Sequence, residues 1–212
     1  MKLSDAKKDY YRKLAKDQGY RSRSAYKLEQ INKSYRIFRP SDKVIDLGCA
    51  PGGWLQVALK EIGRHGKLIG IDLQEVKPIK GATILHDDIE DHMIVDRLLA
   101  ILNCKADVVL SDLAPNISGI WELDHAKQIL LARRAFDVGS KVLKQGGIAL
   151  VKVFEGELLN EFKVELKNNF DRVLLSKPDA SRQKSSELYL VCLKFKGQNY
   201  TQYKHITSDQ PQ

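Results

Sequence analysis

The sequence predicts an α/β fold built on a doubly wound, mostly parallel sheet, and three observations predict it. First, the strand-like run Lys43-Val44-Ile45-Asp46-Leu47 enters a glycine turn, Gly48-Cys49-Ala50-Pro51-Gly52-Gly53. That turn opens a helix on which Val57, Ala58, Leu59 and Ile62 make one apolar face. Second, another short apolar run, residues 67–71, ends at Asp72, 24 residues beyond Gly48, where a carboxylate can accept both hydroxyls of an adenosine ribose. Third, apolar strand patterns and helical patterns alternate along the rest of the chain.

Taken in order, residues 6–17 read as an exposed helix ending near Gly19, and a second helix runs to Tyr35 from Ser22 or Ser24, either of which can cap it. Leu28, Ile31 and Tyr35 share a face, so this helix docks on the core and holds Lys27 at its border. Arg39-Pro40-Ser41-Asp42 breaks the chain before the first strand. After the second strand, Lys77 to Gly81 reads as a turn, residues 82–86 as a third strand and residues 91–102 as a helix. Asp88 between them suits either an adenine amino group or the N-terminus of that helix. Residues 106–111 form the fourth strand and run into Ser111-Asp112-Leu113-Ala114-Pro115-Asn116, a carboxylate and proline turn at a strand end.

Residues 123–143 are helical in period, and Lys144-Gln145-Gly146-Gly147 supplies a glycine C-cap. Residues 148–154 make the most apolar strand, interrupted by Lys152. An unpaired ammonium there is costly, so it must find water, a partner or a cleft. A helix over 157–168 and strands over 170–176 and 188–195 close the domain, the last pair near enough in sequence to be antiparallel. The polar, basic loop 177–186 between them can fold over a polyanion, and Glu187 opens the final strand. The expected architecture is one Rossmann-like domain with a seven-stranded sheet and an antiparallel last strand. It divides into a basic helical arm packed on the core (1–39), the sheet domain (40–196) and a polar tail (197–212).

At 212 residues, 43% hydrophobic and 29% charged, the chain suits a single soluble domain. It has no apolar run near the roughly 20 residues of a membrane span and no signal-peptide centre, so a cytoplasmic protein without membrane contact is expected. Cys49, Cys104 and Cys192 are odd in number and far apart, and the five histidines show no ligand spacing beyond that of His86 with His92, of which His86 reads as a strand-end residue. Neither disulfides nor a metal site is expected. Residues 1–39 hold 12 Lys/Arg and 4 Asp/Glu, whereas the remaining 173 residues hold 23 of each, so the whole +8 excess lies in the arm. There Tyr10, Tyr11, Tyr20 and Tyr26 interleave with Lys7, Lys8, Arg12, Lys13, Lys16, Arg21 and Arg23, a pattern that suits phosphates and stacked bases. A generic solvated basic helix is the plainer reading.

In this topology Gly48 to Trp54, Asp72, Asp88 and Asp112 gather at one sheet edge, where a cofactor with an adenosine and a charged amino-acid end would fit. Asp-Leu-Gly-Cys-Ala-Pro-Gly-Gly-Trp, Ser-Asp-Leu-Ala-Pro-Asn and Val-Lys-Val-Phe-Glu-Gly, with Ser-Arg-Ser-Ala-Tyr-Lys-Leu before them and Ser-Ser-Glu-Leu-Tyr-Leu-Val after, resemble the FtsJ-like ribosomal RNA 2′-O-ribose methyltransferases over about residues 20–195. The resemblance implies a Lys-Asp-Lys-Glu tetrad, here Lys27, Asp112, Lys152 and Glu187, with S-adenosylmethionine held by Gly52, Trp54, Asp72, Asp88 and Asp112. It implies as substrate a nucleotide, a uridine in the most similar members, of 23S ribosomal RNA within the large subunit, with tRNA as the alternative. Lys7, Lys8, Arg12, Arg21 and Arg23 are the expected RNA contacts, and a monomer is expected.

A sulfonium donor already makes its methyl group electrophilic, so the protein mainly aligns the ribose 2′-oxygen and helps remove its proton. Lys152 is the candidate base. An amine accepts a proton only when neutral; burial, Lys27 and the sulfonium favour that form, and Asp112 and Glu187 oppose it. The alternative is that Lys152 stays cationic, orients the hydroxyl and stabilises developing alkoxide. Two other functions compete. A nicotinamide oxidoreductase is disfavoured by Ala50, which stands where the dinucleotide fingerprint has its second glycine. A non-catalytic RNA-binding assembly factor would have no use for Lys152 in an apolar strand.

Overall fold

The computed structural model describes residues 3–181 and 185–197, with the side chains of residues 3–9 outside that description. Two helices come first, α1 (Leu3–Asp17) and α2 (Ser24–Tyr35), followed by β1 (Lys43–Leu47), α3 (Gly53–Ile62), β2 (Lys67–Asp72), β3 (Thr83–His86) and α4 (Ile94–Leu102). Then come β4 (Ala106–Ser111), α5 (Trp121–Val142), β5 (Leu143–Phe154), α6 (Leu158–Asn169), β6 (Phe170–Ser176) and β7 (Glu187–Phe195). They form a seven-stranded sheet in the order β3-β2-β1-β4-β5-β7-β6. Strands β1 to β5 run parallel, and β7 inserts antiparallel between β5 and β6.

Both faces of the sheet are covered, which is why its central strands are apolar nearly throughout. Ile45, Val109, Val151 and Leu190 pack against α4, α5 and α6, while Val44, Leu110, Leu150 and Tyr189 pack against α2 and α3. Strand alternation therefore puts Asp46 and Lys152 on the α2/α3 face. That placement decides which helix can reach them.

Three boundaries differ from the sequence expectation for local physical reasons. Neither Ser22 nor Ser24 caps α2: their hydroxyls bond each other at 2.6 Å, and Arg23 occupies the cap position. Helix α4 starts at Ile94 rather than 91, because Asp91 turns back to accept the Met93 N–H at 2.8 Å. The Lys144 to Gly147 segment is not a helix C-cap. Leu143 is buried and extended (φ −76°, ψ 138°), so α5 passes straight into β5. The pairing Ala106↔Leu143 then shifts to Val108↔Ile148, so residues 144–146 loop outward and Lys144 pairs with Asp107. No described helix is long and apolar enough to cross a membrane. Residues 182–184 of the basic loop and 198–212 of the tail lie outside the described residues.

Candidate active site

The loops that leave the C-terminal ends of β1, β2, β3 and β4 share one sheet edge and carry the carboxylates. Asp72 closes β2 and grips the glycine turn: its Oδ2 accepts the Ala50 N–H and its Oδ1 the Gln74 N–H, both at 2.8 Å. The Gly48 and Cys49 amides donate to the Ile71 carbonyl at 2.9 and 3.0 Å. Asp88 stands two residues beyond β3 and caps a turn, its Oδ1 accepting the Glu90 N–H at 2.9 Å. Each carboxylate keeps lone pairs beyond those used by the backbone.

Asp112 follows β4, and β5 lies beside it. The Lys152 ammonium donates to the Asp112 carbonyl at 2.5 Å and lies 3.3 Å from its carboxylate Oδ1. The same Oδ1 accepts the Tyr189 hydroxyl at 2.9 Å. The antiparallel register sets Lys152 opposite Tyr189 and Phe154 opposite Glu187, so β7 delivers both Tyr189 and Glu187 to this face. Glu187 Oε2 accepts from Lys27 Nζ at 2.8 Å, and that ammonium lies 5.9 Å from the Tyr189 ring centre. Lys27, Asp112, Lys152 and Glu187 are thus brought into one connected cluster from α2, the β4 end, β5 and β7.

The charges of this cluster shift its members in traceable directions. Burial alone would raise the Glu187 carboxyl, but the Lys27 charge and hydrogen bond outweigh it and hold the carboxyl below its usual value. Full burial, with Asp112 and Glu187 nearby, pushes the Tyr189 phenol far up, so it remains a hydrogen-bond donor. Asp46 is raised well above the carboxylate range by complete burial, then by Asp112 and Asp72, and neither of its oxygens has a protein hydrogen-bond partner.

A folded-state value below the unfolded one means that the Lys27–Glu187 pair stabilises the protein above about pH 4.3, the unfolded Glu value, and loses this as pH falls through the folded value. Lys27→Met is therefore expected to cost about 1.5–3 kcal/mol at pH 7, the contribution of a hydrogen bond between charged groups. Urea unfolding of both proteins at pH 7 and pH 3.5 checks it. The gap between them should narrow in acid, and an undiminished gap would mean that packing, not charge, is what Lys27 contributes.

Trp54, in the first turn of α3, is buried, donates its indole N–H to the Ser24 carbonyl at 2.9 Å and lies 5.7 Å from the Tyr189 ring. It ties α3 to α2. Gly52 and Gly53 allow a close approach of the arm. A Cβ on Gly52 would come within 3.0 Å of the Arg21 guanidinium, and one on Gly53 within 2.2 Å of Ser22 Oγ. The glycines thus seat the arm as well as opening the turn.

Of the expected RNA contacts, Arg21 is engaged in this packing: its guanidinium donates to the carbonyls of Pro51 (3.2 Å), Lys77 (2.6 Å) and Pro78 (2.9 Å). It braces the glycine turn against the segment after β2. Arg12 and Arg23 line an open cleft of about 720 Å³ with Lys13, Lys16 and Tyr20. The Lys7 and Lys8 side chains lie outside the described residues.

Sequence reasoning missed four contributors. Tyr189 was discoverable, because it alternates with Glu187 on one strand face. Asp46 sits in the quoted strand, but its isolation depends on the packing around it. Buried Gln128 donates to the Leu113 and Lys152 carbonyls (3.2 and 3.0 Å), and Asp124 accepts from Ser118 N–H and Oγ–H (both 2.7 Å) and from Gly119 N–H (3.0 Å). These two α5 residues fix the loop that starts at Asp112, and no local pattern announces them.

Residues 20–195 match the sequence model of the FtsJ-like methyltransferase family. A ribosomal RNA large subunit methyltransferase E of Nitrosopumilus maritimus is 53% identical over 93% of this chain and all of its own length. The protein of the same description from Cenarchaeum symbiosum is 46% identical, again over 93% of this chain and all of its own. Among solved structures, one from Plasmodium falciparum described as a ribosomal RNA methyltransferase superposes with a TM-score of 0.77 at 33% identity. It covers 84% of this chain and all of its own.

Proposed function

Since the chain belongs to the FtsJ-like methyltransferase family, we propose that it transfers a methyl group from S-adenosylmethionine to a ribose 2′-oxygen in 23S large-subunit ribosomal RNA. The observation that carries this reading is the buried Lys152 ammonium, fixed by two Asp112 oxygens at the sheet edge where Asp72 and Asp88 also lie. The donor set suits the cofactor: Asp72 for the ribose hydroxyls, Asp88 for the adenine edge, and Asp112 beside the glycine turn for the amino-acid end, with Gly52 and Trp54 shaping the wall. When bound, the cofactor supplies a methyl group on positively charged sulfur.

The chain's own residues then have definable tasks. Lys152 carries three N–H donors; one goes to the Asp112 carbonyl and one faces its carboxylate, leaving the third for the substrate 2′-oxygen. Held this way, Lys152 would orient the 2′-oxygen and stabilise the negative charge that develops on it. The hydroxyl proton leaves late, to solvent. Tyr189 keeps Asp112 Oδ1 oriented, and the Lys27–Glu187 pair borders the place where the ribose enters. Lys27 and Glu187 position the ribose, and Asp112 links cofactor to substrate. A monomer working in the cytoplasm, where ribosomal RNA is reached, is the proposed state. A uridine is the proposed target nucleoside.

The test is transfer of labelled methyl from S-adenosylmethionine to purified large-subunit ribosomal RNA, large-subunit particles and bulk tRNA. The expected result is label on ribosomal material alone, with one phosphodiester made resistant to alkali because its 2′-oxygen is blocked. Label on tRNA alone would move the substrate, and label at a base would overturn the 2′-O assignment.

A further inference from the structure

Among the exposed large apolar residues, four lie close together in sequence beside the catalytic cluster: Ile117 (64% exposed), Ile120 (60%), Trp121 (45%) and Leu123. They occupy the loop that begins at Asp112 and the first turn of α5. Large apolar side chains grouped in this way at the rim of a cleft mark a contact surface.

The tryptophan is held as a rigid plate. Its ring stacks on His125 (centroids 6.0 Å apart, planes 21°) and on Phe154 (6.1 Å, 23°), and both of those residues are buried. His125 is itself locked, because its Nε2 accepts the Leu158 N–H at 3.1 Å and Gly156 packs directly against the imidazole. Burial lowers the imidazole's proton affinity, although Glu157 opposes this, so the ring beneath Trp121 is favoured as neutral. Asp124 and Gln128 fix the loop on either side. The plate is therefore preorganised.

Its position ties it to the substrate. Phe154 lies two residues after Lys152, about 6.6 Å along the strand, and faces Glu187 across the ladder. Residues 112–126 contain no Lys or Arg but three carboxylates, Asp112, Glu122 and Asp124, so this rim is unsuited to phosphate. The opposite, N-terminal side supplies the cations, with Arg12, Lys13, Lys16 and Arg23 around the open cleft. One side can grip a nucleic-acid backbone, and the other offers a flat ring and aliphatic neighbours suited to a base.

Resting on the proposed function, we propose that Trp121 is a stacking platform for an unpaired RNA base flanking the nucleotide whose ribose enters at Lys152. The platform splays the neighbouring base out of its own stack and so presents the 2′-hydroxyl. Base–aromatic stacking tolerates any base, so Trp121 contributes affinity and position rather than sequence choice.

The experiment compares Trp121→Ala, Trp121→Phe and Trp121→Leu in methyl transfer to large-subunit particles from cells lacking the modification. Alanine and leucine are expected to raise KM for the particles about tenfold while leaving KM for S-adenosylmethionine unchanged, and phenylalanine is expected to stay near wild type. In parallel, tryptophan emission is titrated with a single-stranded RNA hexamer and with an abasic hexamer of equal charge. The intact hexamer should quench emission, the abasic one should not, and Trp121→Phe should remove the response, since the remaining Trp54 is buried.

Leucine rescuing as well as phenylalanine, or equal quenching by both hexamers, would overturn stacking and point to apolar docking or to charge alone. Loss of all parameters together in every variant would reduce Trp121 to a structural residue. If the wild-type protein labels no RNA yet the intact hexamer alone quenches, the methyl-transfer reading fails and the platform stands.

Discussion

Lys152→Ala is expected to lower kcat for methyl transfer by about 10²–10⁴-fold, while the Kd for S-adenosylmethionine stays within about twofold of wild type. The asymmetry follows from the contacts. The Lys152 ammonium bonds Asp112 oxygens and acts electrostatically on Glu187, whereas the grip on the glycine turn comes from Asp72 and the Ile71 carbonyl. Tyr189 still bonds Asp112 Oδ1 after the truncation, so the carboxylate keeps its orientation. Calorimetric titration of the cofactor alongside single-turnover transfer separates the two quantities. Equal loss of both would mean that the lysine maintains the fold of the cleft. Lys152→Arg adds a second discrimination: a cationic orienting role retains measurable transfer above the alanine level, and a neutral-base role does not, because a guanidinium stays charged.

Gly48→Ala should lower stability on two counts, backbone strain and overlap. Gly48 has φ +81°, and a Cβ there would lie 2.6 Å from Leu113 Cδ2 and 3.2 Å from the Leu113 Cα. The left-handed backbone costs about 1 kcal/mol and the overlap about 1–3 kcal/mol, so a fall of roughly 5–15 °C in Tm is expected. Gly19→Ala is the control, since its φ is +73° but nothing lies within 4 Å of the added carbon. It should show only the backbone cost. Similar losses in the two variants would mean that Leu113 gives way freely and that the β1 turn and the Asp112 loop are not tightly packed. A forced Leu113 would also displace Asp112 and depress transfer beyond the stability loss.

The strand and helix order was legible because each segment has its own period and because the ends of β1, β2 and β4 are marked by glycine or aspartate. Lys152 was legible for the opposite reason: it breaks the apolar run of β5, and a broken rule in a central strand signals chemistry. Local patterns could not give the partners. That Lys27 meets Glu187, 160 residues away, depends on β7 lying beside β5. The role of Arg21 shows the same limit. In sequence it is one cation among many in a basic arm, but folded it donates to three carbonyls and braces the glycine turn. The β5 boundary was misread because Gly146 and Gly147 resemble a helix stop, whereas buried Leu143 pulls the chain into the sheet first.

The insertion of β7 between β5 and β6 has a temporal consequence. Strand β7 contributes Glu187 and Tyr189 and is flanked on both sides, so the sheet carries a gap until this segment arrives. During synthesis Gly52, Trp54, Asp72, Asp88 and Asp112, the residues proposed to hold the cofactor, emerge before it. A nascent chain that has reached α6 can therefore begin to shape a cofactor cleft while lacking Tyr189 to orient Asp112 and Glu187 to hold Lys27. On the proposed function, competence for transfer would switch on only as β7 closes the sheet.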